Sequence, residues 1–71
     1  MIRTDILIKT IRERAGDVIY FIGKVSKKSG VPPKKVICGM LGAEELSINT
    51  ANVISDELNL TAQEFGSIFF A

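Results

Sequence analysis

The chain has 71 residues, 46% of them hydrophobic, which allows one small domain with a thin core over residues 1–71. One cysteine and no histidine exclude an internal disulfide and argue against a structural zinc site or a Ser-His-Asp or Cys-His catalytic pair. No apolar run reaches the roughly 20 residues of a membrane span, and the first residues do not resemble a signal peptide. We therefore expect a protein of the bacterial cytoplasm that is not an enzyme and holds no cofactor or metal.

The charges are divided unevenly along the chain. Residues 1–35 contain all nine basic residues and three acidic ones, a net charge of +6. Residues 36–71 contain five acidic residues and no Lys or Arg, a net charge of −5. Such an asymmetry is typical of a surface that binds nucleic acid or a charged protein. The alternative is that the two halves neutralise each other in the folded chain.

The first half of the chain predicts two helices. Apolar residues recur at helical spacing over 2–15, which predicts helix 1, and Gly16 ends it. Asp17 is a suitable N-cap for the next element. The segment 18–22 would by itself suit a buried strand, but no second strand is available to pair with it. We therefore expect helix 2 from Val18 or Tyr20 to Ser29.

The second half predicts three further helices. A corner rich in glycine and proline precedes helix 3, expected from Pro33 to Leu41 and ended by Gly42. Ser47 is the expected N-cap of helix 4. The segment 61–64 has the Thr-x-x-Glu spacing of a capping box and begins helix 5. Helix 4 is expected to bury one apolar stripe, consisting of Ile48, Ala51, Ile54 and Leu58.

Five short helices with a glycine corner between the second and third predict an all-α helix-turn-helix protein. The segment from Ser26 to Pro32 resembles the Ala-x-x-x-Gly-Val core of the Cro and phage-repressor family. Val36 and Gly42 fall where that family has the buried apolar residue of helix 3 and the glycine that closes it. The similarity extends over residues 6–65 and implies a five-helix lambda-repressor-like domain, in which helix 3 would be the recognition helix.

The positions that read DNA in this family differ here. The start of helix 2 usually carries a polar residue that grips a phosphate, and here it is Ile22. The loop after helix 3 usually brings cations to the phosphates, and here it contains Glu44 and Glu45. The base-reading positions of helix 3 usually hold Gln, Ser, Thr, Asn or Arg. In this chain they hold Pro32, Pro33, Lys34 and Cys38.

Apolar residues occupy much of the same surface. We expect Ile37, Cys38 and Leu41 to point partly outward from helix 3, with Phe21 and Ile22 beside them. An apolar patch rimmed by charge is typical of a protein-binding face. The alternative is that Phe21, Ile22 and Leu41 belong to a slightly rearranged core. The residues expected to bind a partner are Phe21, Ile22, Pro33, Lys34, Ile37, Cys38, Leu41, Glu44 and Glu45.

Within the family, the chain resembles the small modulator-of-repression antirepressors of lactococcal temperate phages. That resemblance implies a hetero-complex with the DNA-binding domain of the phage repressor, which would block operator binding, favour the lytic state and leave little DNA binding by the chain alone. Because the first half of the chain is basic, the alternative function is that of a Cro-like DNA-binding regulator. A third hypothesis is a dimerisation or assembly module, because apolar residues are concentrated at the C-terminal end. The alternative is that these residues close the core. These are Phe65, Ile68, Phe69 and Phe70.

Overall fold

The computed structural model describes residues 2–70, which form five α-helices and no strand. The helices are α1 (Thr4–Arg14), α2 (Val18–Ser29), α3 (Pro33–Met40), α4 (Ile48–Leu58) and α5 (Ala62–Phe69). The expected all-α class is confirmed for this part of the chain. None of these helices is both long enough and apolar enough to cross a bilayer.

Two residues fix the ends of α2. The Asp17 carboxylate accepts hydrogen bonds from the amides of Ile19 (2.8 Å) and Tyr20 (3.2 Å), so the expected N-cap is confirmed. Gly30 ends the helix with φ at +75°, in the left-handed region, and its amide bonds to the Ser26 carbonyl. The chain can therefore turn sharply into α3, and the helix begins at Val18, the earlier of the two expected starts.

The expected caps of α4 and α5 are also confirmed. The Ser47 hydroxyl accepts a hydrogen bond from the Thr50 amide at 3.2 Å. At the start of α5, the Thr61 hydroxyl accepts from the Glu64 amide (3.1 Å), and the Glu64 carboxylate accepts from the Thr61 amide (2.9 Å). This reciprocal pair is the predicted capping box. Both helix starts are therefore determined by short local patterns that can be read in the sequence.

One apolar cluster to which all five helices contribute forms the core. Helix α2 packs against α1, α3 and α4, and α1 also packs against α4 and α5. The fully buried members of the cluster are Leu7, Ile11, Phe21, Ile22, Val25, Val36, Met40, Ile54, Leu58 and Ile68. The prediction that Ile48 belongs to the buried stripe of α4 was wrong, since this residue is 65% exposed. The buried side includes Thr50 instead, whose hydroxyl bonds to that of Ser47.

Ion pairs join the basic first half of the chain to the acidic second half. Arg14 binds the Glu64 carboxylate, and Glu57 on α4 binds both Lys24 (3.3 Å) and Lys28 of α2. Folding thus neutralises part of the asymmetry, as one of the two alternatives anticipated. Within residues 2–70, Lys34, Lys35, Glu44 and Glu45 take part in no ion pair, and all four side chains are exposed.

Candidate functional site

The prediction that Phe21 and Ile22 line a partner-binding face was wrong. Their exposed fractions are only 1% and 6%, and both lie in the core. The reason is that Phe21, Ile22 and Val25 form one stripe of α2 at positions i, i+1 and i+4, and the helix packs against α1, α3 and α4. The alternative in which they join the core is correct for these two residues but not for Leu41.

The residues expected to point partly outward from α3 are exposed or half-buried, whereas their role in binding a partner stays a prediction. Val36, Gly39 and Met40 turn inward, whereas Leu41 at the C-cap is 61% exposed and Ile37 is 36% exposed. Cys38 is half-buried between them. We use the term "α3 face" for the outward residues of this helix and its two ends, namely Pro33, Lys34, Lys35, Ile37, Cys38, Leu41, Glu44 and Glu45.

The first turn of α3 carries positive charge but few hydrogen-bond donors. Lys34 and Lys35 are exposed there, and the helix dipole adds a partial positive charge. Pro32 and Pro33 have no amide hydrogen, and the amides of Lys35 (2.9 Å) and Val36 (3.1 Å) already bond to the Pro32 carbonyl. This end can attract an anion electrostatically but cannot cradle a phosphate with a row of free amides.

The last turn of α3 carries the opposite charge. Gly42 has φ at +79°, and the chain folds back so that the amides of Ala43 (2.9 Å) and Glu44 (3.3 Å) bond to the Cys38 carbonyl. This turn places Glu44 beside the C-terminal end of α3, which already bears a partial negative charge from the helix dipole. Glu45 is the next residue in the chain. No basic residue lies in the last turn of this helix to offset the charge. The α3 face is therefore positive at one end, apolar in the middle and negative at the other.

The start of α2 is also unsuited to a phosphate. The Asp17 carboxylate already accepts the amides that a helix terminus would offer to an anion. Ile22, at the position expected for a phosphate-gripping residue, lies in the second turn and is buried. A phosphate approaching this helix would therefore meet a negative charge in place of an amide donor.

A second apolar surface lies between α5 and the segment after α3, and the sequence indicated its aromatic residues but not the groove that they line. It is a groove of about 580 Å³, and its lining includes Glu44 and Glu45 together with the Phe65, Phe69 and Phe70 side chains. Leu46 and Ile48 also line it. The signal in the sequence is the pair of large apolar residues on either side of Ser47 in an otherwise polar stretch.

Gly39 shapes one wall of this groove. A Cβ atom on Gly39 would lie 2.3 Å from Cδ1 of Leu46, so the glycine lets the Leu46 side chain rest directly on α3. The segment after α3 is thereby held against the helix, and the two glutamates stay close to both the α3 face and the groove.

Comparison of the chain with protein-family models, with curated proteins and with solved structures finds no match. The function is therefore inferred from the geometry and charge of the residues described above, together with the resemblance of the sequence to phage repressors.

Proposed function

We propose that the chain is an antirepressor, a repressor-type helix-turn-helix domain that binds the DNA-binding domain of a phage repressor and blocks its binding to the operator. The observation that carries the proposal is the polarity of the α3 face, which runs from Lys34 and Lys35 across Ile37 and Leu41 to Glu44 and Glu45. The proposed activity is a stoichiometric one that needs no catalysis, cofactor or metal, and the active species is a hetero-complex.

The corner between α2 and α3 supports the helix-turn-helix assignment. The Ser26 hydroxyl donates a hydrogen bond to the Val31 carbonyl at 2.7 Å, and Gly30 adopts the left-handed conformation that the turn requires. These residues occupy the small and glycine positions of the family pattern. The α3 face is then the surface that would enter a DNA groove in a DNA-reading member.

The charge pattern favours a protein over DNA as the partner. DNA presents phosphates along its whole backbone, so it would be attracted to one end of α3 and repelled by Glu44 and Glu45 at the other. A repressor's DNA-reading surface, in contrast, carries Lys and Arg side chains that can pair with these glutamates. Those same cations are needed for the operator phosphates, so a repressor that pairs with Glu44 and Glu45 cannot use them on DNA.

The apolar middle of the face would supply most of the binding free energy. Burial contributes roughly 25 cal/mol per Å² of apolar surface, or about 1.5–3 kcal/mol for a fully buried leucine side chain, before the cost of association is subtracted. Leu41 has most of its surface still available for burial. The charged ends would mainly set the orientation of the partner and the rate of association.

The test is to titrate the chain into a complex of the repressor from the same phage with fluorescently labelled operator DNA. We expect the wild-type chain to release the operator and Leu41→Glu to lose this effect, with the helical content unchanged by circular dichroism. Tyr20→Glu is the matched control, because Tyr20 is 66% exposed and lies on α2 beside Lys24, where it makes a cation–π contact. If Leu41→Glu remains as active as Tyr20→Glu, the α3 face does not bind the repressor.

A Cro-like DNA-binding regulator is the second candidate, because Lys27, Lys34 and Lys35 are exposed and form no ion pair within residues 2–70. A mobility-shift titration of the chain alone separates the two functions. A specific shift of the phage operator at physiological salt, with a steep salt dependence, would favour the regulator.

A further inference from the structure

The groove beside α5 is the strongest feature that the proposed function leaves unused. Its floor is aromatic, since the Phe65 ring centroid lies 4.8 Å from that of Phe69 and 5.7 Å from that of Phe70. Phe65 and Phe69 are half-buried, whereas Phe70 and Ile48 are largely exposed. An open aromatic surface of this kind costs free energy in water, and that free energy is recovered when a partner covers it.

The groove is also negatively charged. Glu44 and Glu45 line it, and no described residue of the lining is Lys or Arg. An occupant that matches this surface needs apolar side chains for the aromatic floor and cationic groups for the rim.

We propose that the groove binds a cationic, amphipathic segment of another protein. Its apolar side chains rest on the aromatic cluster and Ile48, and its Lys or Arg side chains pair with Glu44 and Glu45. This surface shares only the two glutamates with the α3 face, and the inference holds whether or not the chain is an antirepressor. Aromatic residues are enriched among the anchors of protein interfaces, and the rim of such interfaces is polar.

A two-fold dimer through the groove is disfavoured by its charge. A two-fold dimer through this surface would bring together the glutamates of both copies. Residues 36–71 supply no Lys or Arg to separate them. Arg3, whose amide bonds to the Ile68 carbonyl of α5, has its guanidinium bound to its own Asp5 at 2.8 Å. Charge therefore disfavours a two-fold dimer through this groove and favours a cationic partner.

The experiment uses a short synthetic helical peptide with leucines on one face and lysines beside them. The peptide is titrated into the full chain labelled with ¹⁵N, and amide chemical shifts are followed by NMR. We expect saturable shifts at Leu46, Ile48, Phe65 and Phe69. A peptide of the same composition in scrambled order, and one with glutamate in place of lysine, should bind at least tenfold more weakly. Equal binding of the scrambled peptide, or shifts confined to other surfaces, would refute the proposal.

Two pairs of variants locate the binding site. Glu45→Lys should weaken the peptide about tenfold or more, whereas Asp56→Lys, the same charge change at an exposed position on α4, should have much less effect. Ile48→Asp should abolish binding, and Tyr20→Asp should not. If Glu45→Lys and Asp56→Lys behave alike, the attraction is a general charge effect and the proposed site is wrong.

Two further measurements distinguish a peptide-binding groove from a dimer interface and from the α3 face. Sedimentation that shows a dimer of the free chain, dissociated by Ile48→Asp, would make a second copy the occupant and overturn the proposal. Leu41→Glu tests only the α3 face, so we expect it to bind the peptide normally even if it no longer releases the repressor from DNA. The peptide titration can therefore refute the groove proposal, and the operator-release experiment can refute the antirepressor proposal, each independently of the other.

Discussion

Glu64 is the residue whose ionisation has the clearest consequence for stability. The Arg14 guanidinium, which binds its carboxylate, and the Thr61 amide lower the pKa of Glu64 from its ordinary value of 4.5 to about 2. The same arginine donates to the Leu58 carbonyl at 3.1 Å, so the ion pair ties α1 to the junction of α4 and α5. Protonation of one exposed carboxylate would therefore loosen the contact between three helices.

The pH dependence follows from the direction of this shift. Because the folded-state pKa is lowered, the contribution of Glu64 to stability is fully present above about pH 4.5 and is lost as the pH falls toward 2. We expect Glu64→Gln to be less stable than wild type at pH 7 and to lose less stability across that window. Urea unfolding at several pH values measures both effects. Glu44→Gln is the control and should keep the wild-type acid profile. A full wild-type acid slope in Glu64→Gln would show that the ion pair does not act in solution.

At the scale of the helix, the two glycines of α2 should respond in opposite ways to the same substitution. Gly30 has φ at +75°, a conformation that costs an L residue about 1 kcal/mol, so Gly30→Ala should lower the free energy of unfolding by about that amount. Gly23 lies inside the helix, and a Cβ there would meet nothing within 4 Å. Gly23→Ala should therefore stabilise the chain by about 0.5–1 kcal/mol. Thermal unfolding of both variants checks this, and equal effects would mean that α2 does not end at Gly30.

Helix boundaries could be predicted from the sequence because the signals that set them are local. Asp17, Ser47 and Thr61 each bond to amides within three residues, and Gly30 ends its helix through its own φ angle. Such patterns need no knowledge of the rest of the chain. The errors in these boundaries are confined to the terminal residues of helices. An example is the start of α1, which lies at Thr4, two residues later than predicted.

The candidate site was harder to predict because burial depends on tertiary neighbours. Phe21 and Ile22 fit the buried stripe of a helix that starts at Val18, but the family pattern places their sequence positions near the DNA-reading surface. Ile48 is three residues before Ala51 but is exposed, because it lies beyond the edge of the buried stripe of α4, which consists of Thr50, Ala51, Ile54 and Leu58. The groove itself could not be predicted from the sequence, because the apolar residues around Ser47 and the aromatic residues of α5 are brought together only by folding.

For the whole molecule, folding turns an asymmetry along the sequence into an asymmetry across one surface. Ion pairs from Arg14, Lys24 and Lys28 to the second half remove part of the charge separation. What remains around α3 is a cationic beginning and an anionic end, separated by the length of one short helix. A uniformly negative partner gains little from such a surface, whereas a protein with charges of both signs can match it.

Changing the sign of one end of α3 tests whether this polarity prevents DNA binding. On a random-sequence labelled duplex, we expect the wild-type chain to bind weakly and Glu45→Lys to bind more tightly. If the new lysine contacts one phosphate, the slope of log affinity against log salt concentration should steepen by about 0.9.

Asp56→Lys makes the same change of charge on α4 and should leave the slope nearly unchanged, which separates a local contact from an effect of net charge. If both variants steepen the slope equally, the position of Glu45 is irrelevant. If the wild-type chain already shows a steep dependence of affinity on salt concentration, the unmodified α3 face binds DNA. That result would favour the Cro-like function.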